Sequence, residues 1–179
     1  MSLPVPEFSY IVNVQNLPQD GADFEISANE VECAKLAERF NLARLSGLNA
    51  KLRLDRRSRG AVRLSGKILA QVTQTCVATL DPVDEDVEID LDMVFQPGFE
   101  DLPPDAPEFD SDRDIEPLTG DSLDIGEVVA VEMALSLNPY PRAATAPMIG
   151  PDGADAQDGP APERPFAGLG ALIQKHNKI

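Results

Sequence analysis

The sequence contains a single histidine, His176, which lies near the end of the chain. A Ser-His-Asp or Cys-His nucleophilic site needs a histidine base held by the fold, and this chain offers none before its last few residues. The sequence also lacks a glycine-rich phosphate-binding loop. Its many aspartates and glutamates are typical of a solvated surface rather than of acid–base catalysis. We therefore predict no catalytic residues and no enzymatic activity.

Long apolar segments are absent as well. No apolar run approaches the ~18 residues that a membrane-spanning helix requires, and the N-terminus lacks the basic and apolar regions of a signal peptide. The two cysteines, Cys33 and Cys76, lie on different predicted elements, which favours buried reduced thiols over a disulfide or a metal pair. These features predict a cytoplasmic protein that does not contact membranes.

Charge is abundant, and its distribution is uneven. The formal net charge of −16 argues, on average, against binding to nucleic acid, including DNA, or to an anionic membrane. Eight of the 15 basic residues nevertheless lie in 44–67, where only Asp55 opposes them, and nineteen of the 31 acidic residues lie in 81–132. A strongly basic part of the fold therefore adjoins a strongly acidic part.

The predicted fold is organised around residues 64–97. Apolar and polar residues alternate from 62 to 73 and again from 87 to 93, the period of two that is typical of half-buried strands. Leu80-Asp81-Pro82 predicts a turn between the two strands. Gly66 lacks a side chain in the middle of the first strand, which indicates a bulge or a close approach of another backbone.

A further strand over residues 48–55 precedes these two strands, and a turn at 56–60 connects it to the first of them. Gly60 suits a turn position with a positive φ. The polar face and the turn of this hairpin are the candidate surface for contact with RNA or another anion, because seven of the eight basic residues in 44–67 lie there: Lys51, Arg53, Arg56, Arg57, Arg59, Arg63 and Lys67.

Three interpretations of these basic residues remain open. They pair with the acidic residues of 98–121 or decorate a soluble surface, in which case they carry little information about function. They contact RNA phosphates and stack on bases, as arginines at a mobile tip can do. They contact an acidic protein partner instead.

Two helices are predicted to pack on the sheet. Ser27 and Glu30 have the spacing of a capping box at the start of the first helix, over 29–40. Its buried side is predicted to comprise Val31, Ala34, Leu36, Ala37 and Phe40. The second helix, over 122–137, has a wide apolar face and ends before Pro139.

Together with short β-prone runs at 8–14 and 24–26, these elements predict a single α+β domain over 1–142. Its sheet is expected to be antiparallel and twisted, with the capacity to curl into a partial barrel, and to carry two packing helices. Residues 98–121 are predicted to form an acidic, proline-rich loop without packed structure. A flexible linker over 143–165 and a short apolar and basic tail over 166–179 follow, and this C-terminal region is expected to be disordered.

Two blocks of sequence resemble the YceD family of large ribosomal RNA subunit accumulation proteins. The first block runs from Gly66 through Thr75-Cys76 and Leu80-Asp81-Pro82 to Phe95-Gln96-Pro97, and the second spans 123–141. The resemblance covers roughly 47–141. The positions that carry the family motifs are Gly66, Cys76, Leu80, Pro82, Asp124, Glu127, Glu132, Pro139 and Pro141.

The resemblance implies a non-enzymatic role in ribosome biogenesis, in the synthesis, processing or accumulation of large-subunit ribosomal RNA. It implies that this RNA or its precursor is one candidate partner, and that a ribosomal protein or an assembly factor is another. A protein–protein interaction module that never touches RNA is the alternative.

The resemblance also bears on metal binding. Many members of the family carry Cys-x-x-Cys at the position of Cys76, with further cysteines after the Pro-x-x-Pro segment, a set that could hold zinc. In this sequence Thr79 takes the second position, and Arg142-Ala143-Ala144 follows Pro141. We therefore expect no metal and no cofactor, and we expect Cys76 to be a buried thiol at the end of a strand.

Overall fold

The computed structural model describes residues 6–98 and 114–147. In chain order its elements are β1 (Ile11–Asn13), a 3₁₀ turn (Val14–Asn16), β2 (Ala22–Ser27), α1 (Glu30–Arg39), β3 (Arg44–Arg56), a 3₁₀ turn (Ser58–Gly60), β4 (Val62–Thr75), β5 (Pro82–Pro97), β6 (Asp114–Leu118), β7 (Ser122–Asp124) and α2 (Ile125–Leu135). The chain divides into two units after Ala146. Most of the predicted linker and the whole predicted tail over 166–179 lie outside the described residues.

The centre of the fold is a meander of the three long strands β3, β4 and β5, each antiparallel to the next. Inward side chains alternate with exposed ones along all three strands, so the predicted hairpins and their period of two are confirmed. Gly66 lies in the inward row of β4 at a close approach of the β3 backbone. The register shift in this pair of strands lies instead between Leu45 and Gly47.

The edges of the meander complete an open five-stranded sheet in the order β2-β3-β4-β5-β6. The predicted α+β class is confirmed, although the sheet does not close into a barrel. β2 pairs antiparallel with β3, whereas β6 runs parallel to β5 over residues 93–97. The prediction that 98–121 lacks packed structure is wrong at its end, because Leu118 is buried and Pro117 is tolerated in an edge strand. The rest of that predicted loop, 99–113, lies outside the described residues.

α1 confirms the first predicted helix, but its cap differs from the prediction. Asn29 accepts hydrogen bonds from the backbone of Val31 and Glu32, and the Glu32 carboxylate accepts one from Asn29 N in return. The capping box is therefore Asn29–Glu32 rather than Ser27–Glu30, because Ser27 still belongs to β2. The buried residues of the helix are Cys33, Leu36 and Ala37, so the predicted burial of Val31 and Ala34 is wrong.

The second predicted helix begins three residues later than the sequence suggests. Ser122–Asp124 form β7, which pairs antiparallel with β1 and holds residues 11–13 against the core. α2 then runs over Ile125–Leu135, and Ile125, Val129 and Met133 are fully buried against the sheet. Among residues 6–98 and 114–147, no helix has the length and apolar character needed to cross a membrane.

Candidate functional site

The tip of the basic hairpin is formed by the turn between β3 and β4. A single 3₁₀ turn over Ser58–Gly60 is closed by a hydrogen bond from Ala61 N to the Ser58 carbonyl at 3.2 Å, and Arg57 N donates to the Ala61 carbonyl at 2.8 Å. Gly60 has a φ of +77°, as the sequence predicts, and Arg59 is also left-handed with a φ of +59°. The side chains of Arg57 and Arg59 are exposed at this tip.

Four of the candidate basic residues lie below the tip on the exposed face of the sheet, and each is ion-paired. The register brings carboxylates of the flanking strands β2 and β5, and one carboxylate of β3, beside the basic side chains of β3 and β4. The nitrogen–oxygen distances are 3.4 Å for Lys51–Glu25, 3.0 Å for Arg53–Asp23, 3.1 Å for Arg53–Asp55, 2.6 Å for Arg63–Asp92 and 3.3 Å for Lys67–Asp90, and Lys67 also contacts Glu88.

These pairs keep the face electrically mixed. Hydrogen bonds to carboxylates raise the pKa of Arg53, Arg63 and Lys67, so all three side chains stay charged near neutral pH. Their charge is nevertheless matched by neighbouring carboxylates, and solvent screens the pairs because the side chains are partly exposed. The face therefore presents charges of both signs to solvent.

Arg56 has a different role in the structure. Its guanidinium donates hydrogen bonds to the carbonyl of Gln15 and, at 3.4 Å, to the carbonyl of Val14. These contacts tie the hairpin to the 3₁₀ turn over Val14–Asn16. The side chains of Arg57 and Arg59 are the candidate residues that lie at the tip itself, and both are exposed.

A second group of sequence-predicted residues surrounds the start of α2. The Asp124 carboxylate caps the helix by accepting hydrogen bonds from Gly126 N and Glu127 N at 3.1 and 3.2 Å. The same carboxylate accepts hydrogen bonds from the Ser9 hydroxyl at 2.6 Å and from Tyr10 N at 2.7 Å. This family-motif position therefore joins α2 to the N-terminal segment.

Glu127 forms the next contact between these elements. It pairs with Arg39 at 2.6 Å, and Arg39 also pairs with Glu7 at 2.9 Å and lies 5.0 Å from the centre of the Phe40 ring. The hydrogen bond to Glu127 raises the pKa of Arg39. Arg39 is not predictable as a partner of Glu127, because nothing in the sequence shows which residues the end of α1 contacts.

Four of the remaining motif positions lie at or contact the turn between β4 and β5: Cys76, Leu80, Pro82 and Pro141. Val77 N donates to the Pro141 carbonyl at 2.9 Å, and Ala143 N donates to Cys76 Sγ at 3.3 Å. Leu80 is left-handed with a φ of +64°, Pro82 begins β5, Glu132 lies on α2 and Pro139 lies in the segment after α2. The segment after α2 is thus fixed to this turn.

Cys76 is fully buried, and both cysteines are free thiols, which confirms the expected buried reduced state. Its sulfur also accepts hydrogen bonds from Ala78 N and Thr79 N, both at 3.4 Å. The side chain of Thr79, the backbone N–H of Ala143 and the two neighbouring N–H groups lower the pKa of Cys76 to about 6. Among the described residues, no cluster of candidate metal ligands includes Cys76.

The lowered pKa of Cys76 predicts that the stability of the protein depends on pH. The unfolded thiol has a pKa of about 8.5, so between roughly pH 6 and pH 8.5 the unfolded chain binds a proton that the folded chain has released. Stability should therefore rise with pH across this window and fall as the pH drops toward 6. Urea unfolding at several pH values should show this slope in the wild type and a weaker slope in Cys76→Ser. Equal slopes for the two proteins would contradict the assignment.

Comparison with known proteins gives one match. Residues 64–173, more than half of the chain, match the model of the family described as large ribosomal RNA subunit accumulation protein YceD. Neither the curated proteins nor the solved structures contain a match. The matched range includes most of β4, all of β5, and α2 with its capping residue. The chain therefore belongs to the YceD family, whose description implies a role in the accumulation of large-subunit ribosomal RNA.

Proposed function

We propose that this protein is a non-enzymatic factor that supports the synthesis, processing or accumulation of large-subunit ribosomal RNA, and that it contacts this RNA through the hairpin tip. Family membership supports the general role. The RNA contact rests on one observation, the exposure of Arg57 and Arg59 at the end of a long paired hairpin.

The chemistry of the tip suits a small contact with unpaired RNA. A guanidinium can donate two parallel hydrogen bonds to a phosphate and can stack on an unstacked base. The carboxylates beside Lys51, Arg53, Arg63 and Lys67 would repel phosphates on the sheet face, so the contact is confined to the tip. With about two phosphates neutralised, log K should fall with log salt at a slope of only about −1.4 for single-stranded RNA.

The test is a double charge reversal, Arg57→Glu with Arg59→Glu. Folding should tolerate both changes because the side chains are exposed in a turn. A matched control, Lys35→Glu with Arg44→Glu, makes the same change in net charge at exposed positions on α1 and at the other end of β3. We expect the tip variant to lose ribosomal RNA in RNase-controlled co-purification and to fail to restore large-subunit RNA in a deletion strain, while the control does both.

Two results would contradict the RNA contact. A folded tip variant that restores large-subunit RNA fully would show that the tip arginines are surface decoration. A tip variant that fails in the cell, when the wild-type protein itself binds no RNA, would indicate an acidic protein partner instead.

A further inference from the structure

Among the described residues, the outer edge of β5 is unpaired along most of its length. β4 pairs with β5 over residues 82–95, but β6 joins the other side of β5 only over residues 93–97. Within the described part of the chain, no strand pairs with this side at residues 82–92. At about 3.3 Å per residue, this leaves an edge roughly 35 Å long.

The side chains of this edge fall into two rows of opposite character. The row that points away from the core carries a carboxylate at every second residue: Asp84, Asp86, Glu88, Asp90 and Asp92. The row that points toward the core is mostly apolar, and Val87 and Leu91 are buried while Ile89 is half-buried. A strand added here would meet acidic side chains on one face and apolar side chains on the other.

Neighbouring cations neutralise this row only in part. Lys67 contacts Glu88 and Asp90, and Arg63 pairs with Asp92. Asp84 and Asp86 instead accept hydrogen bonds from the neutral side chains of Thr73 and Gln71, at 2.6 and 3.2 Å. The edge therefore keeps a net negative charge along its length.

We propose that the outer edge of β5 binds a basic protein segment in extended conformation, in which lysine or arginine alternates with apolar residues. The segment would add a strand to the sheet, with backbone hydrogen bonds supplying affinity and the two side-chain rows supplying specificity. Its basic side chains would face the carboxylate row, and its apolar side chains would cover Ile89.

The negative charge of the edge also determines which partners are excluded from it. Acidic residues on an exposed strand are a known protection against edge-to-edge association. The same repulsion excludes a second copy of this chain, whose net charge is −16, and excludes RNA. The proposal goes beyond the RNA contact of the hairpin tip, because it concerns a different strand and a different class of partner, and it can fail independently.

The test uses two synthetic peptides of about 12 residues, long enough to span the edge. In both peptides lysine alternates with valine, and in the second peptide the valine nitrogens are methylated so that they cannot donate to a strand. Titration into the ¹⁵N-labelled full-length protein should shift the amide signals of residues 83–91 and slow their hydrogen exchange. The methylated peptide should bind at least about tenfold more weakly.

A triple variant tests whether the carboxylates of the edge contribute to peptide binding: Asp86→Asn, Glu88→Gln and Asp90→Asn. We expect it to bind the unmethylated peptide about tenfold more weakly. A control with the same change in charge at exposed positions elsewhere, Asp20→Asn, Glu30→Gln and Glu38→Gln, should bind as the wild type does.

Four results would overturn the proposal. These are equal binding of the two peptides, equal weakening by the control variant, signal changes confined to residues outside β5, or no binding at millimolar peptide. Each excludes strand addition at this edge without bearing on the hairpin tip.

Discussion

Replacing Gly66 with alanine is expected to destabilise the protein by at least about 3 kcal/mol, or to prevent folding. A Cβ at this position would lie 2.1 Å from the Lys51 carbonyl oxygen and 2.9 Å from Leu52 Cα. Both are backbone atoms of β3, so they cannot move aside without breaking the β3–β4 pairing on which the meander depends. The φ of +153° adds strain for any residue with a side chain.

Gly47→Ala is the matched control, because it makes the same chemical change in the neighbouring strand. Its Cβ would lie 3.7 Å from Gln71 Oε1, which is ordinary van der Waals contact. We expect the control to change the free energy of unfolding by less than about 1 kcal/mol, as measured by urea titration. A Gly66→Ala protein that unfolds at the wild-type urea concentration would contradict the close approach.

Gly126→Ala should also be strongly destabilising, although alanine has the higher helix propensity by about 1 kcal/mol. A Cβ at residue 126 would lie 2.7 Å from Tyr10 N, 2.9 Å from the Ser9 carbonyl carbon and 3.0 Å from the Phe8 carbonyl oxygen. The N-terminal segment would have to leave α2, which breaks the 3.0 Å hydrogen bond from Ile125 N to the Tyr10 carbonyl. We expect a net loss of about 2–3 kcal/mol.

Urea unfolding and hydrogen exchange at the Ile125 amide together test this second prediction. The amide should exchange faster in Gly126→Ala because its acceptor has moved away. Leu135→Ala serves as the control on the same helix, since Leu135 is 75% exposed and its truncation should cost less than about 0.5 kcal/mol. Stability gained in Gly126→Ala would show that propensity outweighs the contact with the N-terminal segment.

The sequence predicted the elements whose signal is local. The period of two identified β4 and β5, and Gly60 marked the turn of the hairpin. The start of α2 was predicted wrongly because the positions of Leu123 and Ile125 are compatible with either a strand or a helix. Pairing with β1 places residues 122–124 in a strand. β6 was not predicted because Asp114–Leu118 is too short and too polar to be recognised without its partner strand.

The sequence shows which basic residues cluster in the hairpin, but it does not show which of them pair with carboxylates. The clustering of basic residues along β3 and β4 is visible in the sequence. The carboxylates that neutralise four of them come mainly from β2 and β5, and their positions depend on strand register. Register is set by packing across the whole sheet, so the pairing of Lys51, Arg53, Arg63 and Lys67 with carboxylates could not be predicted from composition.

The pairing of β1 with β7 also shows that the segment matching the family is smaller than the segment whose residues pack together. The family match begins at Leu64, inside β4, and so excludes β1, β2, α1 and β3. Asp124 and Glu127 lie within the match, yet their partners lie outside it: Ser9 and Tyr10 for Asp124, and Arg39 for Glu127. A fragment cut at the match boundary would expose the inner side of β4 and the cap of α2, so the shared segment depends on preceding residues to complete its core.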